Sequence, residues 1–224
     1  MKNKLFKKLI GLIVVVAVVI CSVSCKENVD LKLYVSQLRL GVYQGAFEDY
    51  KITAFAEDRE TPFLLDGFVG TKEYIMTVKV EKQKGSCDGV FIKLDYDDVS
   101  VESKLEYNPL NGKFISEIKV SKLPTSSSIL ATIKCEELEC SCELTTQKNA
   151  GTISYENALN SLKNSEPSLI KNLFETTNIC TEIHIRLIAE GDKNYYYIGL
   201  VDKDGKIKAF LIDGLSGEVL AKRT

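Results

Sequence analysis

Apolar and polar positions alternate with a period of two in short runs from Leu31 to Thr146. Leu31-Lys32-Leu33-Tyr34-Val35 to Leu40 alternates over parts of its length, and Tyr50–Phe55, Tyr74–Val80, Val90–Tyr96, Lys104–Tyr107, Phe114–Val120, Ile129–Cys135 and Cys140–Thr145 behave similarly. Alternation gives a pleated strand one apolar and one wet face, so each segment predicts a half-buried strand. Asn108-Pro109-Leu110-Asn111-Gly112 reads as a turn, because Asn and Gly accept positive φ and Pro fixes its own. Seven or eight short strands at this spacing predict an antiparallel β-sandwich of immunoglobulin or fibronectin type III kind over residues 31–146. After Asn149-Ala150-Gly151 the period changes to 3.6. Ser154 is a good N-cap, with Tyr155, Ala158, Leu159 and Leu162 on one helical face. Pro167 restarts the helix, and Leu169, Ile170, Leu173 and Phe174 carry the stripe onward. Three strands follow, Glu182–Ala189, Asn194–Val201 and Ile207–Ile212, the last two joined through Asp202-Lys203-Asp204-Gly205-Lys206. The expected fold is mostly β, a sandwich followed by an α+β domain of helix and three-stranded antiparallel sheet over residues 150–224.

The N-terminus follows neither period. Lys2, Lys4, Lys7 and Lys8 form a basic head, Leu9 to Ile20 an apolar run, and Ser22-Val23-Ser24-Cys25 a small-residue end. That order predicts a secretion signal, since a spanning helix needs ~20 apolar residues. Cys25 at this boundary resembles the lipobox of bacterial lipoproteins, with Ser22 where Leu, Val or Ile is usual. The resemblance implies that residues 1–24 are removed and that Cys25 becomes the first mature residue, carrying diacylglycerol on its sulfur. Residues 25–30 would then tether the protein to the extracytoplasmic face of the cell membrane. Ordinary signal cleavage and a retained N-terminal anchor are the rival readings.

Charge narrows the partners. The whole chain has 29 bases against 31 acids, and without the four signal lysines it has 25 against 31, a formal charge of −6. An acidic surface argues against nucleic acid, whose affinity comes largely from phosphate neutralisation. It gives no electrostatic help on an anionic membrane either, so the lipid must supply the attachment. The 45% hydrophobic and 27% charged fractions are those of a globular protein.

Glu156-Asn157-Ala158 in the helix, the strand ending Glu190-Gly191-Asp192-Lys193, and Tyr195-Tyr196-Tyr197 to Gly205 resemble a PepSY domain. Asp213, Ser216, Gly217, Glu218 and Val219 match that family's closing signature, and the likeness covers roughly the last 70 residues. Pro167 departs from it by lengthening the helical part. The resemblance implies an exported protein-binding domain, some members being propeptides proposed to inhibit peptidases, with no catalytic residues to carry over.

Five constellations remain. His184, the only histidine, shares a strand face with Glu182 and Arg186 and reads as a solvated or sheet-edge side chain. With one His, this chain alone builds neither a Ser-His-Asp triad nor a His-rich zinc site. Asp95, Asp97 and Asp98 read as solvated strand-end carboxylates, and Glu57-Asp58-Arg59-Glu60-Thr61-Pro62-Phe63 as a charged loop with a self-satisfied Arg–Glu pair. Cys135, Cys140 and Cys142 sit on a predicted hairpin, open to three readings: a disulfide, a metal site with Cys87 or Cys180, or buried thiols. The spacing is not C-x₂-C, which argues against zinc. Tyr195, Tyr196 and Tyr197 are consecutive in a strand, so the helix covers one face and leaves at least one ring for partner binding, the rival reading being that the rings pack against the sandwich. The chain thus reads as a non-catalytic envelope lipoprotein without cofactor, a protein-binding module or peptidase modulator held to the membrane by lipid. The alternative is a thiol- or metal-binding surface lipoprotein built on the Cys135/Cys140/Cys142 hairpin.

Overall fold

One strand, β1 (Val35–Phe47), organises the molecule because it is long enough to have three strand neighbours. The computed structural model describes residues 29–82, 89–136, 138–174 and 181–223. The expected signal, Cys25, Cys87 and Cys180 lie outside them. Contacts cluster residues Leu31–Thr224 into one unit.

A 3₁₀ turn (Leu31–Tyr34) leads into β1. β2 (Tyr50–Glu60), β3 (Lys72–Lys82), β4 (Phe91–Tyr96), β5 (Val99–Lys104), β6 (Glu106–Asn108), β7 (Lys113–Val120), β8 (Ser128–Cys135) and β9 (Leu138–Thr146) follow. Helices α1 (Tyr155–Ser165) and α2 (Pro167–Phe174) come next, then β10 (Thr181–Glu190), β11 (Lys193–Asp202), β12 (Ile207–Asp213) and β13 (Val219–Arg223). The thirteen strands form one nearly closed, mostly antiparallel sheet, with β13-β12-β11-β10-β1-β2-β3-β7-β6 as its main path.

The two flanks of β1 explain this path. One flank pairs antiparallel with β2 along almost its whole length, from Gln37↔Arg59 to Phe47↔Tyr50. The other is divided: its first half pairs parallel with β10, Leu38 opposite Ile185 and Arg39 opposite Arg186, and its second half meets β9 at Tyr43↔Thr146. A bulge at Arg39/Gly41 falls between the halves. Two glycines make the crowding there tolerable. A Cβ on Gly41 would stand 2.5 Å from the Ala56 Cβ, and one on Gly45 would stand 2.6 Å from the Glu143 carbonyl oxygen of β9. The expected break at Asn149–Gly151 is a turn, and the sheet runs across it through β1 and β10.

Alternate residues of β1–β4 and β7–β9 close on one apolar core, which includes Ile52, Met76, Val78, Ile92, Leu94, Ile133 and Leu144. Ser154 caps α1 by accepting a bond from the Asn157 amide, and Pro167 opens α2 where its missing N–H costs nothing. Ala158, Leu159, Leu162, Ile170 and Phe174 are buried, as are Ile183, Ile185 and Leu187 of β10 and Tyr196, Ile198 and Leu200 of β11. Burying each such large side chain contributes about 1.5–3 kcal/mol, so this face fixes the helices in place.

The sheet departs from expectation in three places. β5 and β13 are additional strands, so the C-terminal part has four strands rather than three. Residues Glu57–Glu60, expected in a loop, belong to β2, and the connecting loop starts only at Thr61. The residues from Asp213 to Val219 form a locked turn before β13. The Asp213 Oδ1 accepts from the amides of Leu215 (2.9 Å) and Ser216 (2.7 Å) and from the Ser216 hydroxyl (3.0 Å), while Gly217 takes φ +76°.

Candidate functional site

The strands β12, β11, β10, β1, β2 and β3 have a second face, opposite the one that packs on the helices in β10–β12 and on the apolar core in β1–β3. Alternation decides who stands there: Tyr197 pairs with Arg186, Arg186 with Arg39, Arg39 with Glu57, and Phe55 and Thr77 follow in register. This face is polar, aromatic and half buried.

A hydrogen-bonded chain crosses it. Arg186 donates from Nε (3.0 Å) and Nη2 (2.8 Å) to the Gln37 Oε1, and the Gln37 amide nitrogen donates to Glu57 Oε2 at 2.7 Å. Glu57, itself buried, also accepts from Arg59 Nη1 at 3.1 Å. Arg59 reaches on to Glu117 of β7, and that bond holds the guanidinium pKa above its ordinary value. Of the two glutamates beside Arg59 in the expected Arg–Glu pair, Glu57 is the partner, and Glu117 is a second one that sequence spacing did not show.

Arg39 is the exception on this face. Its guanidinium carbon lies 4.5 Å above the Phe55 ring, over which the Lys79 ammonium also stands at 5.2 Å. Its Nε is buried without a hydrogen-bond partner among the described residues. Burial, then the neighbouring Arg186 charge, pull its pKa down.

His184 is not a solvated or sheet-edge residue. β10 has neighbours on both sides, and Phe63 from the loop after β2 packs on the imidazole with ring centroids 5.0 Å apart. Burial, with Arg186 beside it, pushes its pKa down to about 4, so the ring is neutral at pH 7. Beneath the same loop stand two buried carboxylates. Glu60 accepts from the Gly70 amide at 2.6 Å, and Glu182 has neither oxygen in hydrogen-bond geometry with a described residue. Burial raises the Glu182 pKa; the nearby Ser36 hydroxyl draws it partly back and Glu60 adds to the rise.

The three tyrosines divide as their alternation requires. Tyr196 is fully buried under α1, its hydroxyl donating to the Ile153 carbonyl at 2.7 Å, and burial pushes its pKa up to about 12. Tyr195 and Tyr197 are half buried on the other face, with the Arg186 guanidinium 6.0 Å from the Tyr197 ring centre.

The three hairpin cysteines do not act together. Cys135 is disulfide-bonded, and because Cys140 and Cys142 are free it bonds to neither of its hairpin neighbours. Cys140 and Cys142 are free, and burial raises both thiol pKa values. No group of three metal-ligating side chains is assembled among the described residues. The aspartates at the β4–β5 turn are internally engaged: Asp97 accepts from the Thr125 amide at 2.9 Å, Asp98 pairs with Lys122, and Asp95 with Lys93 at 2.9 Å. Asp202 closes the β11–β12 hairpin by accepting from the Asp204 and Lys206 amides. No family model matches this chain, and comparison with curated proteins finds no relative.

Proposed function

We propose that the protein is a lipid-anchored, non-catalytic binding module on the extracytoplasmic side of the cell membrane, which engages another envelope protein. The carrying observation is the half-buried face around Arg39, Phe55, Arg186 and Tyr197, on which no helix or strand packs among the described residues. Arginine and aromatic side chains are the types that dominate protein interfaces, and here they are preordered by the sheet and by one another. The order α1–α2–β10–β11–β12 and the Asp213–Val219 turn support a PepSY-like reading of residues 150–224, and with it a peptidase as the partner to modulate. Strands on both sides of one core support a sandwich-like reading of residues 31–146.

Capture from native membranes tests the binding. Tyr197→Ala is expected to weaken capture by roughly 2 kcal/mol with unchanged melting. Lower melting with unchanged capture would make the ring structural and remove the proposal's support. Mass spectrometry of the mature N-terminus tests the anchor: lipid on Cys25 is expected, and a Cys25→Ser protein that stays uncleaved and membrane-bound means a retained anchor instead.

The alternative, thiol or metal chemistry at the β8–β9 hairpin, draws on the two free thiols of Cys140 and Cys142. Their raised pKa values disfavour the thiolate that either chemistry uses. Stoichiometric zinc uptake lost in Cys140→Ser would favour it.

A further inference from the structure

We infer that Arg39, Arg186 and Lys79 together bind the carboxylates of an acidic segment on the partner protein, a proposal that rests on the binding reading above. The parallel register sets Arg39 directly opposite Arg186 on neighbouring strands. Like charges in that relation destabilise a sheet, so each guanidinium needs a counter-charge. Glu57, opposite Arg39 on β2, offsets part of its charge without forming an ion pair, and the carboxylates around the two guanidinium groups are bonded elsewhere. Glu57 holds Gln37 and Arg59, Glu117 holds Arg59, and Glu73 holds Lys119. Arg186 has only the neutral Gln37 oxygen for two of its N–H groups. Arg39 has the Phe55 ring and a buried, unbonded Nε; Lys79 shares that ring. Among the described residues, none of the three cations has a carboxylate at ion-pair distance. His184, neutral at pH 7, adds no charge of either sign.

The spacing favours a segment over a single small anion. Arg186, Arg39 and Lys79 stand on β10, β1 and β3, with β2 between the last two. Strands lie ~4.8 Å apart, so the row extends over roughly 14 Å, several times the width of one phosphate. Successive carboxylates on an extended peptide match that reach, and guanidinium groups take carboxylates bidentately. Phe55 supplies flat apolar surface between Arg39 and Lys79, and Tyr197 extends it beyond Arg186 on β11. A long polyanion such as nucleic acid would meet the −6 charge of the chain without its signal lysines, whereas a short acidic segment needs only this patch.

The test titrates full-length protein in detergent with a labelled hexaglutamate peptide, with inorganic phosphate as competitor. The wild type is expected to bind the peptide in a salt-sensitive manner, and Arg39→Gln to weaken it about tenfold without lowering the melting temperature, since the substitution removes a like-charge neighbour. Lys79→Gln, farther from the pair, is expected to weaken it by about threefold. Absence of peptide binding, unaltered binding by Arg39→Gln, or equal competition by phosphate at matched ionic strength overturns the inference. If Arg39→Gln melts low, Arg186→Gln in the same titration decides, a tenfold loss supporting the inference and no loss overturning it. The broader binding function is read separately by capture. Capture without peptide binding overturns the acidic-segment inference alone, and peptide binding without capture supports the site while removing the protein partner.

Discussion

The two faces of strands β10 and β11 come from the same residues taken alternately, yet they are built to different rules. On the covered face, Ile183, Ile185, Leu187, Ile198 and Leu200 pack beneath the helices, and the Tyr196 hydroxyl and the buried Asn194 amide both have their partners. On the opposite face, the His184 Nε2 and the Arg39 Nε on neighbouring β1 lack hydrogen-bond partners among the described residues, and the buried Glu182 carboxylate has the Ser36 hydroxyl and the Gly67 amide near it but neither in hydrogen-bond geometry. An unmade hydrogen bond on a buried group costs about 1–3 kcal/mol, so a face carrying several is not selected for stability. The fold gains its stability from one face and accepts a cost on the other.

Substitution at adjacent tyrosines is the strongest way to break this contrast. Tyr196→Ala should cost about 3–5 kcal/mol in denaturant unfolding, because it empties a fully enclosed site, and Tyr197→Ala under about 1 kcal/mol. Equal losses would show that the second face is also structural core. The His184 site gives a smaller effect that depends on pH. Its folded pKa of about 4 lies below the unfolded value of ~6.5, so its stability contribution is complete above pH 6.5 and is lost as pH falls toward 4. Unfolding measured at pH 7 and pH 5 should differ by up to about 2 kcal/mol, and His184→Asn should flatten that difference.

Glu182 has the opposite sign. Its folded pKa is raised, so its contribution is present below the unfolded carboxylate value and is lost as pH rises through the folded one. Glu182→Gln should therefore stabilise the protein at pH 7 and have little effect in acid; destabilisation at pH 7 would mean the charge is compensated. The smallest effect belongs to the β12–β13 turn, away from both faces. Asp213→Ala removes three acceptor contacts at an exposed site and should lower the melting temperature only slightly, with unchanged peptide binding.

Much of the strand content was legible because alternation is a local signal, and both helices were marked by Ser154 and Pro167. β5 was missed because Val99 and Val101 alternate with Ser and Glu over only six residues, on a strand with one partner. β13 was hidden because most of its residues are exposed and carry no apolar period. The candidate site was much less legible. Tyr197 was found through its place in the strand, but Arg39 and Arg186 each look like ordinary wet residues of an alternating strand. Only the register of β1 on β10 makes them neighbours, and register across most of the chain leaves no local pattern. His184 was misjudged for a related reason: the Phe63 ring that covers it comes from a loop more than a hundred positions away.

The divided flank of β1 also governs the order in which the fold can be completed. Gln37 and Arg186, bonded across it, are 149 residues apart. A chain that emerges N-terminus first makes β1 and β2 early, then carries the front half of β1 as an unpaired edge until β10 arrives. During that interval the edge offers its backbone to any extended segment nearby, including the β10 of a second molecule. Late closure of this kind makes strand exchange between neighbouring chains the characteristic misassembly of this architecture, most pronounced where nascent molecules are concentrated in two dimensions.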